Sequence, residues 1–175
     1  MFAIRRYAEG DHAAVQALFI AVNRALAQPD LREAFELYIT RSLAEEIDRL
    51  SDYYAGKQGA FFVAHQGEML AGMFGLEGLG TQAAELRRMY VDPVYRRHGL
   101  ARLMLERAEE TCRVAGTPVL ALSTSELQQA ALAFYRNAGY ALVREETAAA
   151  QTNKTIGGDI RRYYFEKDLL PQRTQ

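Results

Sequence analysis

The chain has 175 residues, enough for one domain with a real core and short for two. Hydrophobic residues make up 49% and charged residues 25% at a net charge of −1, so the basic excess of a nucleic-acid binder is missing, and no stretch approaches the roughly 20 apolar residues of a membrane span. One cysteine, Cys112, excludes an intrachain disulfide and fits a reducing cytoplasm, and the scattered Cys112, His12, His65 and His98 lack the spacing of a metal site. Arg5 and Arg6 are not followed by a long apolar run, so no secretion signal is expected. The expected organisation is a single domain over residues 1–170 with a short tail, 171–175.

Phe2 to Tyr7 alternates loosely and reads as a strand. Gly10-Asp11 offers a turn and an N-cap, and Val15, Leu18, Val22 and Leu26 then follow a helical period. Pro29-Asp30 interrupts it. A second helical stretch carries Phe35, Tyr38, Ile39, Leu43, Ile47, Leu50 and Tyr54 and ends near Gly56. Ala60 to His65 and Met69 to Leu76 read as a hairpin turning at Gln66-Gly67-Glu68. After a glycine-rich loop, Ala84 to Val91 is another strand, closed by Asp92-Pro93. A helix is predicted from Leu100 to Ala115, with Leu100, Leu103, Met104, Ala108 and Cys112 on its apolar face. Gly116-Thr117-Pro118 stops it. Val119 to Ser123 is a short strand, Gln128 to Ala138 a helix capped by Gly139, and Tyr140 to Glu146 and Ile160 to Glu166 the last two strands. The polar stretch Thr147 to Gly158 between them reads as a mobile loop. The order β-α-α-β-β-β-α-β-α-β-β predicts a mixed α/β (α+β) sandwich, a mostly antiparallel sheet with helices on both faces.

The chemistry concentrates at Met89 to Ala101, where a strand runs through Asp92-Pro93 into a basic turn, a glycine and a helix. A helix start leaves its first amides unpaired and carries partial positive charge, so a turn that gathers such amides binds phosphate oxygens. Gly99 and the small Ala101 let a ligand come close to the backbone, and Arg96, Arg97 and Arg102 add charge around the anion. The segment has neither the Lys-Ser/Thr of a P-loop nor the three glycines of a dinucleotide fingerprint.

Arg96-x-x-Gly99-x-Ala101 resembles motif A of the GNAT superfamily of acyl-CoA N-acyltransferases, whose pattern is Gln/Arg-x-x-Gly-x-Gly/Ala. Downstream, Ala131-Leu132-Ala133-Phe134-Tyr135-Arg136-Asn137-Ala138-Gly139-Tyr140 resembles the family's motif B. The two follow in the family's order and separation, and the element order agrees from about Phe2 to Leu169.

The resemblance implies a GNAT-type sheet that splays between the strand before the turn and the strand after the following helix. Acetyl-CoA fills the gap as cosubstrate. Its pyrophosphate rests on the turn Arg96, Arg97, His98, Gly99, Leu100 and Ala101 with Arg102 close by, and its pantetheine arm runs along Met89, Tyr90 and Val91. An amide of Tyr90 or Val91 polarises the thioester carbonyl. A primary amine then attacks directly, with Tyr135 as the acid that protonates the leaving thiolate. Glu85 is the candidate base, because some family members carry a catalytic glutamate at that point of the strand; by alternation Glu85, Arg87, Met89 and Val91 are expected on one face. Where the family often has a coenzyme-contacting asparagine, this chain has Gln128, and Ser123, Thr124 and Ser125 offer further polar groups. Tyr38, Tyr53 and Tyr54 belong to the core or to the acceptor pocket.

The function implied is acetyl transfer to an amine of a small molecule or peptide, in the cytoplasm, with a homodimer as the expected assembly and no nucleic-acid or membrane partner. A non-catalytic acyl-CoA sensor and another kind of nucleotide-binding domain are the alternatives.

Overall fold

The computed structural model describes residues 1–170; the expected tail at 171–175 lies outside the described residues. Seven strands form one sheet: β1 (Ala3–Arg6), β2 (Ala60–Gln66), β3 (Met69–Glu77), β4 (Ala83–Val91), β5 (Val119–Ser125), β6 (Ala141–Ala148) and β7 (Ile160–Asp168). Their spatial order is β1-β2-β3-β4-β5-β7-β6, and every neighbouring pair is antiparallel except β4–β5. The helices are α1 (His12–Leu26), α2 (Arg32–Glu45), α3 (Leu50–Gly56), α4 (Leu100–Val114) and α5 (Gln129–Asn137). This is the expected mixed, mostly antiparallel sheet with helices on both faces. No helix among the described residues is long and apolar enough to cross a membrane.

The apolar run in β2 follows from burial on both faces. Phe61 and Val63 pack with Met73 against α1, α2 and α3, while Phe62 and Ala64 pack with Phe74 against α4 and α5. Phe62 and Phe74 stack with ring centroids 4.9 Å apart. The hairpin turns at Gly67, whose φ of 62° suits glycine.

Three local expectations change. The second helical stretch is two helices, because Glu46 leaves helical geometry (φ −138°, ψ −61°) and a 3₁₀ turn, Ile47–Arg49, separates α2 from α3. Glu46 is fully buried and accepts hydrogen bonds from Arg87, Arg88 and Tyr54, so the break turns a carboxylate into the core. Asp11 stands at the α1 N-cap but its side chain does not cap α1; it accepts from both guanidinium nitrogens of Arg5 (2.7 and 2.8 Å) and from the Ala8 amide (2.9 Å). The polar stretch expected to be a mobile loop is a docked strap at 149–159. Arg41 donates to Gln151 O, Gln151 donates to Ala34 O (3.1 Å), and Arg87 donates to Asn153 O (3.2 Å).

A candidate active site at the split in the sheet

β4 and β5 pair only from Ala83 to Leu86 and from Val119 to Leu122. Beyond Leu86, the edge of β4 facing β5 has no strand partner among the described residues, while Ser123 to Ser125 of β5 still pair with β7. The parted strands open a cavity of about 130 Å³. Nine residues singled out in the sequence line it: Tyr38, Glu85, Met89, Tyr90, Ser123, Thr124, Ser125, Gln128 and Tyr135.

A β-bulge sets which side chains enter. Met73 pairs with Tyr90 and Gly75 with Arg87, so Arg88 and Met89 together oppose Phe74. Arg88 takes φ 52°, the left-handed region where a branched or bulky residue is strained. The bulge places consecutive Arg87 and Arg88 on the same side of the sheet, where both reach Glu46. It also overturns the expectation that Glu85, Arg87, Met89 and Val91 share a face. Glu85 and Arg87 lie towards the strap and α2, whereas Met89 and Val91 pack with the α4–α5 core. Simple alternation fails because the extra residue shifts the pleat by one.

Tyr135 comes from the last turns of α5. That end is held by a Schellman motif, with Gly139 N–H to Arg136 O and Tyr140 N–H to Tyr135 O, both 3.1 Å. The Tyr135 hydroxyl donates to Met89 Sδ at 3.7 Å, a weak bond that leaves it a usable donor. Burial, reinforced by nearby Tyr90, pushes the phenol well above its ordinary pKa, so it stays protonated. Glu85 is about one-third exposed and forms a 2.6 Å ion pair with Lys154 of the strap. Gln128 stands at the N-cap of α5, where its side-chain oxygen accepts from Thr124 Oγ1 at 2.6 Å.

The basic turn lies outside the cavity wall, at the outer end of the same split. Arg97 (φ 64°) and Gly99 (φ 78°) are both left-handed. Among the described residues, no atom beyond its chain neighbours lies within 4 Å of a Cβ built on Gly99, so the backbone angle is what requires glycine there. The Leu103 amide makes the first bond of the α4 ladder, to Gly99 O at 3.2 Å, so Leu100, Ala101 and Arg102 contribute the free amides of a helix start. Arg96, Arg97 and His98 are exposed; Arg102 is exposed too and pairs with Glu106 at 3.0 Å. Val91 ends β4 between the turn and the cavity.

On the far side of the cavity stands a buried polar cluster that sequence reasoning missed. Glu46 accepts from Arg88 (2.7 Å) and Arg87 (3.0 Å), and Arg87 also reaches Glu77. Tyr38 takes a bond from Arg88, Tyr54 donates to Glu46 (2.7 Å) and Tyr53 donates to Glu77 (2.8 Å). Burial opposes ionisation of Glu46 and Glu77, but Arg88 and Arg87 outweigh it and hold both carboxyls below their ordinary value. Of the three tyrosines noted in the sequence, Tyr38 lines the cavity and Tyr53 and Tyr54 support it from behind. Lys154 and Arg162 also line it and were not singled out; the shared face of Arg162 and Tyr164 on β7 was the available signal.

The acetyltransferase (GNAT) family model matches residues 24–140. An IAA acetyltransferase of Azospirillum brasilense is 32% identical over 115 residues, covering 57% of this chain and 74% of that protein. The human N-acetyltransferase 8 is 26% identical over 59% of this chain, which spans about half of that protein's length, 48%. Among solved structures, the PaiA N-acetyltransferase of Thermoplasma acidophilum in complex with coenzyme A superimposes with a TM-score of 0.74 at 19% identity, over 96% of this chain and 99% of that one. The matched span runs from α1 through the split, the basic turn and Tyr135 to Tyr140, and the chain belongs to the GNAT acetyltransferase family.

Proposed function

We propose that the chain transfers the acetyl group of acetyl-CoA to a primary amine by direct attack. One observation carries this reading: the parted strands β4 and β5 open between a helix start with free amides and a buried, protonated Tyr135. The pyrophosphate rests on the amides of the turn from Arg97 to Ala101, with Arg96, Arg97 and Arg102 around it. The pantetheine arm takes the place of the missing strand along Met89, Tyr90 and Val91, and a β4 amide polarises the thioester carbonyl. The amine nitrogen bonds to the carbonyl carbon, the C–S bond breaks, and the thiolate takes the Tyr135 proton. Glu85 accepts the proton that the amine sheds, directly or through water. The acceptor is a small molecule or a peptide amine that enters beside the strap. Exposed Leu142 and Val143 on the outer strand β6 support pairing of two copies at that edge.

Acetyl-CoA consumption against a panel of amines tests the reading, with calorimetry of CoA alongside. Turnover on at least one amine is expected, and Glu85→Gln lowers it about 100-fold near neutral pH. Tight CoA binding without turnover on any amine indicates a sensor, and absence of CoA binding rejects both.

A further inference from the structure

We infer that the acceptor carries a carboxylate beside its amine and that Arg162 binds it, an assignment that rests on the transferase reading above. The charges around the cavity are nearly all answered inside the protein. Glu46, Glu77 and Glu85 face Arg87, Arg88 and Lys154: Arg88–Glu46 is 2.7 Å, Arg87–Glu46 3.0 Å, Lys154–Glu85 2.6 Å and Lys154–Glu77 3.8 Å. Three anions thus match three cations. Arg162 stands outside this balance. It lines both the cavity and the larger groove that continues from it beneath the strap, and no carboxylate among the described residues pairs with it. Its cross-strand neighbour Glu146, the natural partner, is turned to Arg144 (2.9 Å) and to the Tyr164 hydroxyl. The Arg162 guanidinium instead donates to Ser123 Oγ at 2.6 Å, which fixes the side chain and leaves other N–H groups free.

A half-buried arginine with no carboxylate partner among the described residues lies in a site that gains from one more negative charge. Its planar fork fits a carboxylate, whose single charge completes the balance. The location suits an amine that also reaches Glu85. Glu85 lies opposite Ala121 on β5, and Ser123, which holds Arg162, follows two residues on, about 7 Å along the strand. One small molecule spans that separation with its amine at Glu85 and its carboxylate at Arg162.

The test compares small α-amino acids with their carboxamides as acceptors, using wild type, Arg162→Gln and Arg162→Lys. Wild type is expected to prefer the acid at least tenfold in kcat/KM. In Arg162→Gln, kcat/KM for the acid falls about 100-fold, mainly through KM, and the acid-to-amide preference collapses towards one. Arg162→Lys restores part of the preference, because lysine keeps the charge without the fork. Equal wild-type rates on acid and amide, or equal losses on both in Arg162→Gln, overturn the assignment while leaving the transferase reading in place. If no amine is turned over, calorimetry decides with N-acetylglycine and N-acetylglycinamide: binding of the acid alone, lost in Arg162→Gln, supports the subsite, and no discrimination overturns it.

Discussion

Tyr135 and Gly99 owe their places to different physics, and their variants separate accordingly. Tyr135 is buried and, among the described residues, its hydroxyl has only a thioether as hydrogen-bond partner, so Tyr135→Phe removes a proton donor with little loss of packing. We expect kcat to fall about 100-fold with KM nearly unchanged, measured by steady-state acetyl transfer. Gly99 has room for a side chain but a φ of 78°, so Gly99→Ala strains the backbone without a clash. A stability loss of about 1 kcal/mol is expected in denaturant titration, with weaker CoA binding in calorimetry as the turn relaxes. The motif was legible because glycine and tyrosine at fixed spacing are local signals. The role of Arg88 was not, because its left-handed bulge answers to Glu46 across the core rather than to its sequence neighbours.

Between elements, the break at Glu46 and the bulge in β4 are two halves of one device. Leaving the helix turns a carboxylate inward, and inserting an extra strand residue brings two consecutive arginines to meet it. Gly75 on β3 completes the fit, since a Cβ there comes within 2.2 Å of the Tyr54 hydroxyl that donates to Glu46. Glu46→Gln leaves buried arginines short of an anion, and a loss of about 3 kcal/mol is expected from chemical denaturation. The pH dependence follows from the sign of the shift. Glu46 and Glu77 sit below their ordinary value of 4.5 in the folded protein, so their contribution is complete above that value and is lost as pH falls towards the lowered folded values. The acid side of the stability curve is therefore expected to be shallower in Glu46→Gln than in wild type, as read by melting temperature from pH 7 down to about pH 3. Helical periodicity alone ran α2 and α3 together, since Ile47, Leu50 and Tyr54 keep apolar spacing across the break and all remain buried. The strap is the loop its polar composition predicts, but its tethers come from Arg41, Arg87 and Arg88, far away in sequence, so its docking was not legible there.

For the molecule as a whole, stability lies in a sheet covered on both faces, and the proposed active site lies where β4 and β5 part. Phe74 is fully buried at the centre of the α4–α5 side, stacked on Phe62. Phe74→Ala is expected to cost about 4 kcal/mol in chemical denaturation, the usual toll of emptying a large core site. Because the sheet joins both cores, the protection of backbone amides against hydrogen exchange is expected to fall on both faces together. The sequence by itself determined the seven strands in chain order, the antiparallel hairpin, the helix start at Gly99 and the family motifs, since periodicity, turn residues and capping act over a few neighbouring residues. Only the tertiary structure decided which side chains enter the split, how Glu46 answers two arginines, and that no carboxylate among the described residues pairs with Arg162. Those facts depend on a bulge, a helix break and a docked strap, whose energies come from contacts between residues far apart in the chain.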